Sequence, residues 1–213
     1  MTTAPSPSRS EASTRSVNLS RDRAMTHALA AQRRLEPLAE RWVIAGSLRR
    51  GRAAVHDIEH VLIPTLGLVR ADGDLFASEG VLLWPALEGM VAAGTARPHN
   101  YASGPRAEPS YRLGPKHRGY DLFFRGEWAH QEFFTSTPDT FGGTLVIRTG
   151  PQRLCHQVMT AFNRGARYRQ HEGQLIDLRT GEPAPTPTER DYFTAAGLPY
   201  IEPHHRDQYA RTG

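Results

Sequence analysis

The chain has 213 residues, with 26 basic and 22 acidic side chains, a formal net charge of +4 and a pI near 9.6. That excess suits a phosphate-bearing partner without requiring one. A single cysteine, Cys155, excludes an internal disulfide framework and fits a reducing compartment. No apolar run approaches the roughly eighteen residues of a membrane span. The N-terminus lacks the apolar core of a secretory signal, so a cytoplasmic protein without a membrane partner is expected.

Residues 1–19 are rich in Ser, Thr, Pro and Ala and offer little to bury, which predicts a disordered tail. Ser20 is placed to cap a helix over about 21–41. Its apolar face would carry Ala28, Ala31, Leu35, Leu38 and Trp42. Pro37 should kink this helix or split off its last turn. "RWVIAGS" then reads as a short strand entering a turn, and "HDIEHVLIP" as a second strand. "ADGDL" reads as a loop, and "SEGVLLWPALEGMVAAG" as a helix stopped by Gly94.

"SYRLG", "GYDLFFRG" and "HQEFFTST" alternate as strands, the last two joined around Arg125–Ala129. "TFGGTLVIRTG" mixes a short helix or turn with an apolar run. "PQRLCHQVMTAFNRG" is a helix ended by Gly165. "ARYRQHEGQLIDLRTGEPA" reads as a hairpin with a Thr-Gly turn, and "TPTERDYFTAAGLPYIEP" as a helix capped by Thr188 and stopped by Gly197. Strands in the middle with helices on either side predict an α+β fold. It would be a small mixed sheet with helices on one face, followed by a smaller α+β segment.

Asp57 and Glu59 stand two apart on an apolar strand and therefore share a face. Two carboxylates so close repel, and burying both is costly unless a cation neutralises them. Magnesium suits such a pair together with substrate phosphates. Upstream, "GSLRRG" offers phosphate ligands. Gly46 allows close backbone approach, Ser47 supplies a hydroxyl and an amide, and Arg49 or Arg50 a charged fork. The same residues also read as a basic turn followed by an edge strand with two solvated acids.

The pattern G-S-x-R-R-G followed by D-x-E on an apolar strand resembles the nucleotidyltransferase palm of the family X DNA polymerases, the family of DNA polymerase beta. "TPDTFGGTLVIRTGPQRLCHQVMTAFNRGARYRQHEGQLID" is similar to that family's passage from palm to thumb, and "TPTERDYFTAAGLPYIEPHHR" to the thumb's closing stretch. The likeness covers roughly 35–206 and is strongest to small viral and bacterial members. It implies a tail over 1–19, a palm over 20–143 and a thumb over 144–213.

By position, the resemblance implies that Ser47 and Arg50 bind the triphosphate, with Arg49 beside them. Asp57 and Glu59 would bridge two magnesium ions, with manganese as an alternative. Glu132, ten residues before Gly142, would be the third catalytic carboxylate. Asp121, in "YDLFF", is its rival. Arg148, Thr149 and Gly150 would form the turn beside the incoming sugar, followed by a cis peptide that Pro151 makes affordable.

The implied reaction joins a nucleoside triphosphate to a DNA 3′-hydroxyl with release of pyrophosphate, as in repair or gap filling. The alternatives are a degenerate palm that binds nucleotide or nucleic acid, and a transferase with a non-DNA acceptor. Most members carry Asp at the Glu132 position and Gly at that of His56. A slow, manganese-preferring or inactive enzyme is therefore also open. Residues 1–40 are too short for the lyase domain of animal relatives, so grip on DNA should be weak or borrowed from a partner, with the chain itself a monomer. Cys155, Trp84, Met90 and Val91 read as core residues. His204 and His205 do not read as a zinc site, and Arg164, Arg167 and Arg169 read as a solvated or backbone-touching face.

Overall fold

The computed structural model describes residues 18–70, 76–101, 114–171 and 174–212. Within them the chain runs β1 (Leu19–Ser20), α1 (Arg21–Leu35), β2 (Ala39–Ile44), α2 (Gly46–Arg49), β3 (Ala54–Val55), β4 (Ile58–Pro64), β5 (Leu66–Val69), β6 (Ser78–Val81) and α3 (Leu83–Ala92). It continues through β7 (Ala96–Pro98), β8 (His117–Phe124), β9 (Glu127–Thr135), α4 (Phe141–Thr149), α5 (Gln152–Gly165), β10 (Tyr168–His171), β11 (Gln174–Asp177), β12 (Pro183–Ala184), α6 (Glu189–Ala195) and α7 (Arg206–Thr212). The tail up to residue 17, the "ADGDL" loop and most of "SYRLG" lie outside the described residues.

The first helix is shorter than its periodicity predicts. It ends at Leu35, and Pro37 sits in a 3-10 turn, Glu36–Leu38, after which Ala39 is already extended. Proline cannot donate to a helical ladder, so the chain turns into a strand instead. Trp42 consequently lies on β2, not on a helix face, and its indole N–H donates to His60 Nδ1 at 3.0 Å. The hairpin between β8 and β9 is also tighter than expected. Only Arg125 and Gly126 form the turn, both with positive φ, the signature of a two-residue type I′ connection.

Five strands form one mixed sheet in the order β2-β4-β9-β8-β7, in which β4 and β9 are parallel and the other neighbours antiparallel. One face presents Leu62, Tyr120, Leu122 and Phe133 to Leu35 of α1 and to Leu83 and Leu87 of α3. Trp84 and Met90 are buried in the same cluster, as core residues should be. His60 is fully buried there, hydrogen-bonded to Gln131, and burial drops its pKa to about 4 and keeps it neutral. On the opposite face, Val61, Ile63 and Phe134 pack against Phe141 and Leu145 of α4.

Helix α4 joins two cores. Its Val146 belongs to the C-terminal cluster with Leu154, Val158, Phe162, Leu175, Tyr192 and Phe193. The Gly142–Gly143 pair in this helix has a packing cause. The Gly142 N–H donates to the Thr186 carbonyl at 2.9 Å, and a β-carbon at 142 would sit 2.0 Å from the Thr188 carbonyl oxygen. Only glycine lets the two segments meet. Thr188 caps α6: the Asp191 N–H donates to its hydroxyl, and its own N–H donates to the Asp191 carboxylate at 2.9 Å. No described helix is long and apolar enough to cross a membrane.

Candidate active site at the parallel strand pair

Parallel pairing of β4 with β9 sets Glu59 opposite Glu132, with Ile58 opposite Gln131 and Asp57 one residue before the strand. Residues about seventy apart in sequence therefore share one face of the sheet. The charges feel one another. Burial, then the Asp57 and Glu132 carboxylates, push Glu59 up to about 8, only partly offset by Arg148 and Arg50. A cation placed among the carboxylates around half-buried Glu59 would relieve the crowding.

Glu132 is held differently. Its Oε1 accepts from the Tyr101 hydroxyl at 2.8 Å and from His130 Nε2 at 3.2 Å. His117 Nε2 lies 3.2 Å from Oε2, close enough for an ion pair but poorly aligned for a hydrogen bond. Burial alone would raise Glu132, but His117, His130 and Tyr101 outweigh it and hold the carboxyl well below the usual range. His130 stands between two acids. Burial opposes its charge, yet Asp121 and Glu132 raise its pKa to about 9.

Asp121, the rival for third carboxylate, also faces this side but has partners of its own. Arg97 Nε lies 3.1 Å away and His99 Nδ1 2.6 Å away, and Asp121 stays ionised well below its ordinary range despite burial. It is paired with His130, not with Glu59.

The Gly-Ser-Leu-Arg-Arg turn lies beside Glu59. Gly46 has φ +66°, and a β-carbon there would stand 2.3 Å from Glu59 Oε2. The close approach that glycine permits is thus to the carboxylate. Ser47 Oγ is buried and makes no hydrogen bond among the described residues. Arg50 donates from Nη1 to the Thr149 carbonyl and from Nε to Asp207 at 3.1 Å. Arg148 stacks over Phe134 at 3.8 Å, and the Gly150–Pro151 peptide is cis. These residues of the loop and the turn meet on one side of the carboxylates.

Arg49 is occupied. It forms a fork onto Glu189, with both contacts at 2.8 Å, and donates to Thr149 Oγ1 at 2.9 Å. The fully buried Arg206 takes the same Glu189 oxygen at 2.9 Å. One acid thus joins arginines from both ends of the chain, a role invisible in the spacing of "RR" because the partner is 140 residues away.

A cleft of about 740 Å³ opens next to the site, between β8, β9, α4 and the β10–β11 hairpin. Lys116, His117, Phe134, Ile147, Arg148 and Gln174 line it. His99, Tyr101, His117 and His130 were not singled out by any motif. The one local signal was the alternation of His130 with Glu132, which puts both on one face. Cys155 is half-buried, its thiol pKa raised chiefly by burial, as suits an apolar role.

No curated protein matches the chain. Residues 145–207, from the second turn of α4 into α7, match the family described as DNA polymerase beta thumb.

Proposed function

We propose that the protein is a metal-dependent nucleotidyltransferase of minimal family X type, with a palm over 20–143 and a thumb over 144–213, adding a nucleotide from a triphosphate to a DNA 3′-hydroxyl. The observation that carries this reading is the register that sets Glu59 opposite Glu132 with Asp57 just before the strand; burial first, and then these two carboxylates, raise Glu59 to about 8. The thumb match supports DNA as the acceptor.

The donor set suits a hard divalent ion, since carboxylate oxygens would be its protein ligands. Asp57 and Glu59 would hold magnesium, or manganese. Glu132 would join through Oε2, because Oε1 already spends both lone pairs on Tyr101 and His130. When bound, such ions supply Lewis acidity for the attacking hydroxyl and charge neutralisation for the departing pyrophosphate. The chain's own part is positional. Ser47 offers an unused hydroxyl to phosphate, and Arg50 a guanidinium that offsets phosphate charge. Arg148, Thr149 and Gly150 border the sugar. Arg49 maintains the turn through Glu189. The neighbouring cleft has room for the end of a nucleic acid strand.

The test is single-nucleotide extension of a primer–template by the purified chain with magnesium or manganese. Incorporation that disappears in Asp57→Asn supports the assignment. No incorporation with either metal, alongside calorimetric binding of the triphosphate, establishes the second reading, a palm that binds nucleotide without chemistry. That reading is favoured by the three groups already engaging Glu132.

A further inference from the structure

His99, Asp121 and His130 meet one strand further across the sheet from Glu59, beyond Glu132. His99 Nδ1 lies 2.6 Å from Asp121 Oδ1, and His130 Nδ1 lies 3.5 Å from the same oxygen. The imidazoles stack with centroids 3.6 Å apart, so both nitrogens point at one carboxylate oxygen. His130 Nδ1 is buried and makes no hydrogen bond among the described residues.

We propose that His99 Nδ1, His130 Nδ1 and Asp121 Oδ1 form a site for a borderline divalent transition ion, zinc above all. Tetrahedral zinc with bonds of about 2.0–2.1 Å needs donors roughly 3.3 Å apart; the three ligand atoms already lie within 4.8 Å of one another, and the 2.6 Å His99–Asp121 contact has to open by less than about 1 Å as the ion replaces the proton between them. Two imidazoles and one carboxylate suit zinc and its neighbours and do not suit magnesium, which prefers oxygen alone. The supporting contacts are in place. His130 Nε2 faces Glu132 Oε1 at 3.2 Å, an acceptor for the remaining ring proton once the ion has displaced the one on Nδ1. Arg97 takes Asp121 Oδ2 at 3.1 Å and turns Oδ1 toward the rings. Its charge weakens cation binding, while Glu132 strengthens it.

The ion would tie the residue after β7 to β8 and β9, and would fix the His130 tautomer that faces Glu132. It is separate from the Asp57–Glu59 pair in both donors and place, and it does not rest on nucleotidyl transfer.

The experiment titrates chelator-stripped full chain with zinc and with cobalt(II), without nucleotide. The expected result is one equivalent bound, a cobalt spectrum of tetrahedral type, and affinity reduced at least about tenfold by His99→Asn and by Asp121→Asn. Asp57→Asn should leave zinc binding unchanged. Circular dichroism checks each variant's fold, and Asp121→Asn serves alone if His99→Asn fails to fold. Absence of stoichiometric zinc in the wild-type chain overturns the proposal. So does zinc that survives both site variants but is lost in Asp57→Asn.

Discussion

Glu59 and Glu132 face each other across the one parallel strand pair of the described sheet, and Glu59 carries the electrostatic cost. Its folded pKa of about 8 exceeds its ordinary value of 4.5. A group raised in this way stabilises the fold below its unfolded pKa and loses that contribution as pH rises through the folded value. The metal-free protein should therefore lose stability from this group between about pH 5 and pH 8. Magnesium should restore it at the upper end. Glu59→Gln should stabilise the metal-free chain at pH 8 by roughly 2–4 kcal/mol and abolish the magnesium effect. Urea denaturation at several pH values, with and without magnesium, measures both.

Gly46→Ala should destabilise the protein by about 2–3 kcal/mol, because positive φ and a collision with Glu59 combine. Only the collision depends on Glu59. The double variant Gly46→Ala, Glu59→Ala should thus recover part of the loss, and the remainder, about 1–2 kcal/mol, is the backbone cost. A double-mutant cycle by chemical denaturation shows whether the two effects add. Strict additivity would mean that the contact carries no energy.

Much of this arrangement was legible in the sequence, and the reasons differ by residue. Alternation along the strands put Glu59 and Glu132 on the face where the parallel pairing of β4 with β9 sets them opposite each other. Thr188 was found because capping is local chemistry. Trp42 was misplaced because its spacing from Leu38 fits a helix as well as a strand, and Pro37 settled the matter. Arg49 and Gly142 were not legible in their structural roles. Their partners, Glu189 and Thr188, are brought to them only by tertiary packing. Tyr101, His117 and His130, which engage Glu132, come from three different segments, and no single short window contains them.

Glu132→Gln keeps the size of the side chain and removes its charge. If the proposed chemistry holds, the extension rate should fall about 100-fold or more, while affinity for the metal–triphosphate complex, resting on Asp57 and Glu59, changes within a few-fold. Pre-steady-state extension with varied nucleotide separates the two quantities. Equal losses in rate and affinity would mean that Glu132 supports the pocket rather than the reaction.

Glu189→Gln should destabilise the protein by about 3–5 kcal/mol, since it leaves the buried Arg206 and the Arg49 fork without their shared acid. Burial opposes the charge of Glu189, but Arg49 and Arg206 hold its pKa below the ordinary value. Its contribution is therefore present above the usual carboxylate range and lost on acidification. Thermal unfolding at neutral pH and at pH 4 tests this: the difference between wild type and variant should shrink at the lower pH.

Arg50 has two claimants. At present it spends its donors on the Thr149 carbonyl and on Asp207, both in the segment that matches the thumb. If Arg50 serves a triphosphate as proposed, an anion that draws it toward Ser47 competes with those bonds, and occupancy of that site is linked to the hold of Arg50 on residues 145–207. By reciprocity, whatever loosens that hold tightens anion binding by the same factor. On that proposal, one side chain would make the seating of the C-terminal segment a variable that a nucleotide reads and sets.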